Sequence, residues 1–144
     1  MIKPKRIFID TSGWVELTLK GEVHHQSVVT YFTQELASGS KFFTNDYVLD
    51  ESWTRLMTHQ SVTSAKALRS KTEAAVKQHQ LLILWTDETV LDRAWQAFIK
   101  FAEHQLSFTD AVIATVVKDL NIDEILTLDQ GFKKIGLVVR PMLN

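Results

Sequence analysis

Five short apolar runs, most of them separated by stretches of helical periodicity, constrain this chain more than any other feature. Ile7, Phe8 and Ile9 form the first, continuous enough for a strand buried on both faces and closed by Asp10. "KFFTND" at 41–46, "LLILW" at 81–85, "EILTLD" at 124–129 and "GLVVRP" at 136–141 are the others, the last closed by Pro141. Between them, helical spacing places Trp14, Val15 and Leu17 on one segment and Val28, Val29, Phe32 and Leu36 on a second that stops at Gly39. Val48, Leu49, Trp53, Leu56 and Met57 mark a third helix, and residues 62–79, without Gly or Pro, a fourth. The segment 88–105 repeats Leu91, Ala94, Trp95, Phe98 and Ala102, with Thr86 or Asp87 as its cap. "SFTDAVIATVVKDLN", apolar over much of its circumference, reads as a central helix packed on the sheet. This alternation implies an α/β fold with a mainly parallel sheet of about five strands, covered by helices on both faces.

At 144 residues the chain fits one domain, 1–144, and 45% hydrophobic with 23% charged residues is a globular balance. Cysteine is absent, which excludes disulfides, thiol catalysis and thiolate metal sites together. The opening "MIKPKRIFID" meets an acid after three apolar residues and reads as neither signal peptide nor anchor. No apolar segment approaches the roughly 20 residues that cross a bilayer, so a cytoplasmic protein with no membrane partner is the expectation. A net charge of −1 does not by itself advertise a polyanionic partner, although local patches bind nucleic acid on neutral proteins.

Function turns on where the acids fall. Asp10 ends the first strand and Asp129 the fourth, so a parallel sheet delivers both to one rim. Glu51 sits in the first half of the helix after the second strand, and Asp110 in the first turn of the helix that begins near Ser107, aimed at the same rim by a preceding βα connection. Asp10, Thr11 and Ser12 are also good helix caps, which leaves a second reading of that position open. Four carboxylates meeting at one rim repel by roughly 4 kcal/mol per close pair at an effective dielectric near 20. No Lys, Arg or His lies within two residues of any of them. Oxygen donors without thiolate suit Mg²⁺ or Mn²⁺, and such a cluster suits phosphodiester hydrolysis. Ser12 and Thr109 stand beside the acids as hydroxyls able to orient a carboxylate or water.

The pattern "FIDTSGWVEL … TNDYVLDESWTRL … LSFTDAVIATVVKDL … ILTLDQGFKKIGLVVRP" resembles the PIN-domain ribonucleases, and among them the VapC-type toxins, over nearly the whole chain. The resemblance implies a PIN-like nuclease domain in which Asp10, Glu51, Asp110 and Asp129 are the catalytic and metal-binding acids. It also implies Mg²⁺- or Mn²⁺-dependent endoribonuclease activity on RNA, an antitoxin protein as partner, and a homodimer. A PIN nuclease that is not a toxin, or a catalytically silent binding module, shares the same motifs.

Other residues carry lesser expectations. Lys66 and Arg69, with Lys77, share a face of the fourth helix that could meet RNA or be an ordinary solvated face. Asp46 reads as a cap and His104 as the histidine to inspect near the site, while the four tryptophans read as core or dimer packing. A receiver-like phosphoacceptor with Asp87 at its centre is disfavoured, because such a site wants paired acids where Asp10 is followed by Thr11 and Ser12; a haloacid-type phosphatase fails on Ser12 in the same way.

Overall fold

The computed structural model describes residues 3–143 and contains one five-stranded sheet in the order β3-β2-β1-β4-β5, every pairing parallel. The strands are β1 (Arg6–Ile9), β2 (Lys41–Asn45), β3 (Leu81–Leu84), β4 (Glu124–Leu126) and β5 (Val139–Arg140). Six α-helices surround them: α1 (Thr11–Thr18), α2 (His25–Ala37), α3 (Asp46–His59), α4 (Val62–Lys77), α5 (Glu88–Lys100) and α6 (Phe108–Asp119). β1 lies at the centre, with Ile7, Phe8 and Ile9 fully buried between β2 and β4. Removing side chains of that size from water contributes about 1.5–3 kcal/mol each. α6 is buried continuously from Ala111 to Val117, the central helix its composition predicts.

Several boundaries differ from the sequence reading for identifiable reasons. The third run is an edge strand with Leu82 55% and Trp85 69% exposed, because β3 has a neighbour on one side only. Helix α5 stops at Lys100; a 3-10 turn, Ala102–His104, follows and ends at Gln105 in the left-handed region, φ 54°. Along α5, Ala94 is buried while Leu91 and Trp95 face solvent. β4 ends at Leu126, short of Asp129, and β5 is confined to Val139–Arg140, with a 3-10 turn at Gln130–Ile135 between them. α6 is entered from α5 and its turn, so the expected βα connection ahead of Asp110 is an αα connection. Asn45 rather than Asp46 caps α3, accepting from the Val48 N–H at 2.8 Å. Asp46 instead takes the Thr86 hydroxyl at 2.7 Å and so ties the exits of β2 and β3 together. Of the tryptophans, Trp14 is buried and Trp53 packs against the core, whereas Trp85 and Trp95 are exposed.

A network of charges closes the opposite, N-terminal rim. Glu124, at the start of β4, receives Lys5 Nζ at 3.2 Å, Arg140 Nε at 3.2 Å and the Tyr31 hydroxyl at 2.8 Å. Lys5 also lies 3.6 Å from the buried Glu35 of α2. Burial of these carboxylates is thereby matched by cations.

Helix α1 lies so close to the sheet that only glycine fits at position 13. A Cβ there would stand 2.6 Å from the Leu126 carbonyl oxygen and 3.1 Å from Ile9 Cγ2. Gly13→Ala, which gains about 1 kcal/mol in an exposed helix, is therefore expected to destabilise this protein by about 1–3 kcal/mol through overpacking. Urea unfolding should show it as a lower midpoint at unchanged slope.

Candidate active site

The strand order reverses direction at β1: the chain first builds outward to β2 and β3, then returns to place β4 and β5 on the other side. A crevice forms at such a switch point, outside the carboxyl ends of the strands. Asp10 follows β1 directly into it, and its backbone N–H is bonded to the Leu126 carbonyl at 3.1 Å, which fixes the two strand exits side by side.

Asp10 occupies the N-cap position of α1, yet its side chain makes no capping bond. It faces β4 instead, where the Thr127 hydroxyl donates to Oδ2 at 2.8 Å. Thr127 is wholly buried; its oxygen also lies 3.0 Å from Ser12 Oγ and accepts from the Asp129 N–H at 3.0 Å. Ser12 Oγ in turn accepts from the Leu128 N–H at 2.8 Å. Two hydroxyls thus clamp the turn after β1 to the turn after β4. Ser12 acts on the carboxylates through Thr127 and the backbone rather than by touching them.

The other acids arrive by separate routes. Asp129, exposed and three residues past the end of β4, caps the following 3-10 turn through the Gly131 N–H at 2.8 Å. Asp110 is held in a reciprocal capping box: its N–H donates to Ser107 Oγ at 3.0 Å and its carboxylate accepts from the Ser107 N–H at 3.3 Å. Because α6 leads back into β4, its N-terminus lies toward the rim where β4 ends. Glu51, exposed on α3, pairs with Arg55 one turn later at 3.0 Å. Beside it, a cleft of about 600 Å³ is walled by α3 and by Thr109.

The four carboxylates feel one another. Burial raises the Asp10 carboxyl to about 6, with the charges of Asp110 and Glu51 adding to the effect and hydrogen bonds from the Thr11 backbone and Thr127 opposing it. Asp110 is also raised, first by burial and then by Asp129 and Glu51, against the bond from Ser107. Among the described residues Asp10, Asp110 and Asp129 form no ion pair, and no three acids or histidines are close enough to hold an ion as they stand. The donor chemistry nevertheless fits a hard divalent cation: Asp10 and Asp110 each feel the charges of other acids in the set, the donors are all oxygen, and the buried Thr11 Oγ1 has no partner among the described residues.

The remaining sequence candidates lie elsewhere. Asp87 caps α5 through the Val90 N–H at 2.9 Å. His104 contacts Glu103 and Phe101. On α4, Lys66 is exposed, whereas Arg69 is held by Glu73 at 2.8 Å and stacks 5.6 Å from the Trp53 ring centre. Sequence reasoning missed Thr127, read only as part of a strand, and Arg55, whose helical offset from Glu51 was its one signal.

The raised carboxyl of Asp10 has a definite sign in stability. Its ordinary value is 3.8, so between that and about 6 the folded protein holds the proton more tightly than the unfolded chain. Stability from this group is full below pH 4 and is lost as pH rises through 6. In EDTA at pH 8, Asp10→Asn is expected to stabilise by up to about 3 kcal/mol, a gain that vanishes near pH 4 in thermal melts.

A PIN domain model matches residues 7–137. The 23S rRNA-specific endonuclease VapC20 of Mycobacterium tuberculosis is 27% identical over 139 residues, covering 94% of this chain and 98% of that protein. The crystal structure of VapC20, described as a sarcin–ricin loop cleaving toxin, superposes with a TM-score of 0.79 at 26% identity, covering 94% of this chain and 99% of that one. VapBC2 from Rickettsia felis, bound to a promoter DNA fragment, shares the fold at a TM-score of 0.69 and 15% identity, over 94% of this chain and 97% of that one. With its parallel sheet, its acid-lined switch point and a family match over nearly its whole length, this chain belongs to the PIN-domain family.

Proposed function

We propose that this protein is an endoribonuclease dependent on Mg²⁺ or Mn²⁺, and the toxin of a toxin–antitoxin pair. One observation carries the reading: Asp10, Glu51, Asp110 and Asp129, from four separate parts of the chain, come within electrostatic reach of one another, and among the described residues Asp10, Asp110 and Asp129 have no cationic partner. The likeness to VapC20 over almost the full length of both chains supports it, and places a hairpin of 23S rRNA first among substrates to try. Asp10, Asp110 and Asp129 would hold the ion, with Glu51 as a further ligand or orienting water. When bound, the ion offsets phosphate charge and lowers the cost of deprotonating water. The chain's own contribution is placement. Thr127 and Ser12 fix Asp10 relative to Asp129, the capping box fixes Asp110, and Thr109 offers a hydroxyl on the cleft wall.

An antitoxin protein and a second copy of the chain are the proposed partners. Leu91, Trp95 and Ile99 stand four residues apart on α5, each more than 40% exposed, and make an apolar stripe suited to a homodimer. Trp95→Asp is expected to shift a dimer to monomer in sedimentation without altering the circular dichroism spectrum. No helix among the described residues is long and apolar enough to cross a membrane.

Purified protein with Mg²⁺ or Mn²⁺ is expected to cut total RNA, or a sarcin–ricin-loop hairpin, into discrete fragments that disappear with EDTA. Asp10→Asn and Asp110→Asn should abolish cleavage while leaving the fold intact, whereas Asp87→Asn, which still caps α5, should cleave like the wild type. Cleavage unaffected by Asp10→Asn, or lost through Asp87→Asn, would refute this site. Millimolar Mg²⁺ should raise the melting temperature of the wild type, and Asp10→Asn should blunt that shift.

A further inference from the structure

The cleft beside the acids runs along α3, with Thr109 of α6 as its opposite wall. Glu51, Arg55 and His59 line it at four-residue spacing, and Thr54 and Thr58 add hydroxyls between them. Among the described residues that line it, Arg55 is the one permanent cation. Its guanidinium is bonded to Glu51 at 3.0 Å, both side chains being 45% exposed. An exposed pair of this kind, one helical turn apart, is weak and readily exchanged.

RNA approaching the acidic crevice meets repulsion unless a positive group stands beside it. The basic face of α4 is not placed to supply one: Arg69 lies over the Trp53 ring and lines a separate cleft that contains none of the four acids, and Lys66 does not line the cleft beside Glu51. Arg55 stands where the need is greatest, next to Glu51, with a planar donor fork that matches phosphate oxygens. We propose that Arg55 is an RNA-contact residue of this protein: the α3 cleft seats the RNA backbone, and Arg55 leaves Glu51 to bind a phosphate flanking the one to be cleaved. The threonine hydroxyls along the cleft supply neutral donors to the same backbone. This inference rests on the nuclease reading and adds the path by which substrate reaches the acids.

The test is binding of a fluorescein-labelled sarcin–ricin-loop hairpin, followed by anisotropy in Mg²⁺ over a range of KCl concentrations. All proteins carry Asp10→Asn to suppress cleavage. Adding Arg55→Ala is expected to raise Kd by about tenfold and to lower the slope of log Kd against log salt by about one. Arg55→Lys should restore the slope, and Lys41→Ala, at the other rim, should change neither quantity. Arg55→Gln serves as the neutral variant if alanine disturbs α3. An unchanged Kd and slope, including no binding by either protein, overturns the inference. A weaker Kd with an unchanged slope overturns it as well, since loss of packing carries no counterion signature. Binding that depends on Arg55 in a protein whose wild type cuts no RNA would instead overturn the nuclease reading and leave the contact standing.

Discussion

The hydrogen bond from the Thr127 hydroxyl to Asp10 is the contact on which the arrangement of the crevice depends. It spans 117 residues of sequence and joins the two central strands at the point where chain direction reverses. A carboxylate buried at a strand end costs folding energy unless something donates to it. Here the donor belongs to the turn that delivers a second carboxylate, Asp129, so partial compensation of one acid fixes the position of the other. Ser12 completes the clamp by holding the Leu128 N–H. Glycine at position 13 lets helix α1 sit down on Leu126 closely enough for these short side chains to reach.

The parallel topology was legible in the chain because each strand exit carries its own punctuation. The continuous apolar run Ile7–Ile9 calls for an interior strand, which by itself puts Asp10 at a rim of the sheet. The apolar girth of Ala111–Val117 likewise announced a helix buried on the sheet. What failed to show was whatever depends on neighbours in space. "LLILW" reads as a buried strand, yet its place at the edge of the sheet, set by the order of crossovers, exposes Leu82 and Trp85. Asp46 has the composition of a cap, but Thr86 lies within reach only because β2 and β3 pair in register through Asn45 and Leu84.

The acids divide along the same line. Asp10 follows from a strand end, and Asp110 from a cap signature that the Ser107 geometry matches, whereas Asp129 caps a 3-10 turn three residues past the end of β4. Thr127 had no signature, since a threonine in an apolar run is indistinguishable from β-sheet filler until its hydroxyl finds a carboxylate from elsewhere. Lys66 and Arg69 do share an exposed face of α4, but one-dimensional spacing cannot show that the Arg69 guanidinium lies over Trp53.

The two ends of the sheet therefore treat negative charge in opposite ways. At the end where β1 and β4 begin, Glu35 and Glu124 are answered by Lys5 and Arg140. At the end where the same strands finish, Asp10, Asp110 and Asp129 have no cationic partner among the described residues. A chain of formal charge −1 is thus an electrically polarised body along its strand axis, a property invisible to its isoelectric point. Dissolved cations therefore concentrate at one end of the sheet in preference to the other, before any substrate arrives.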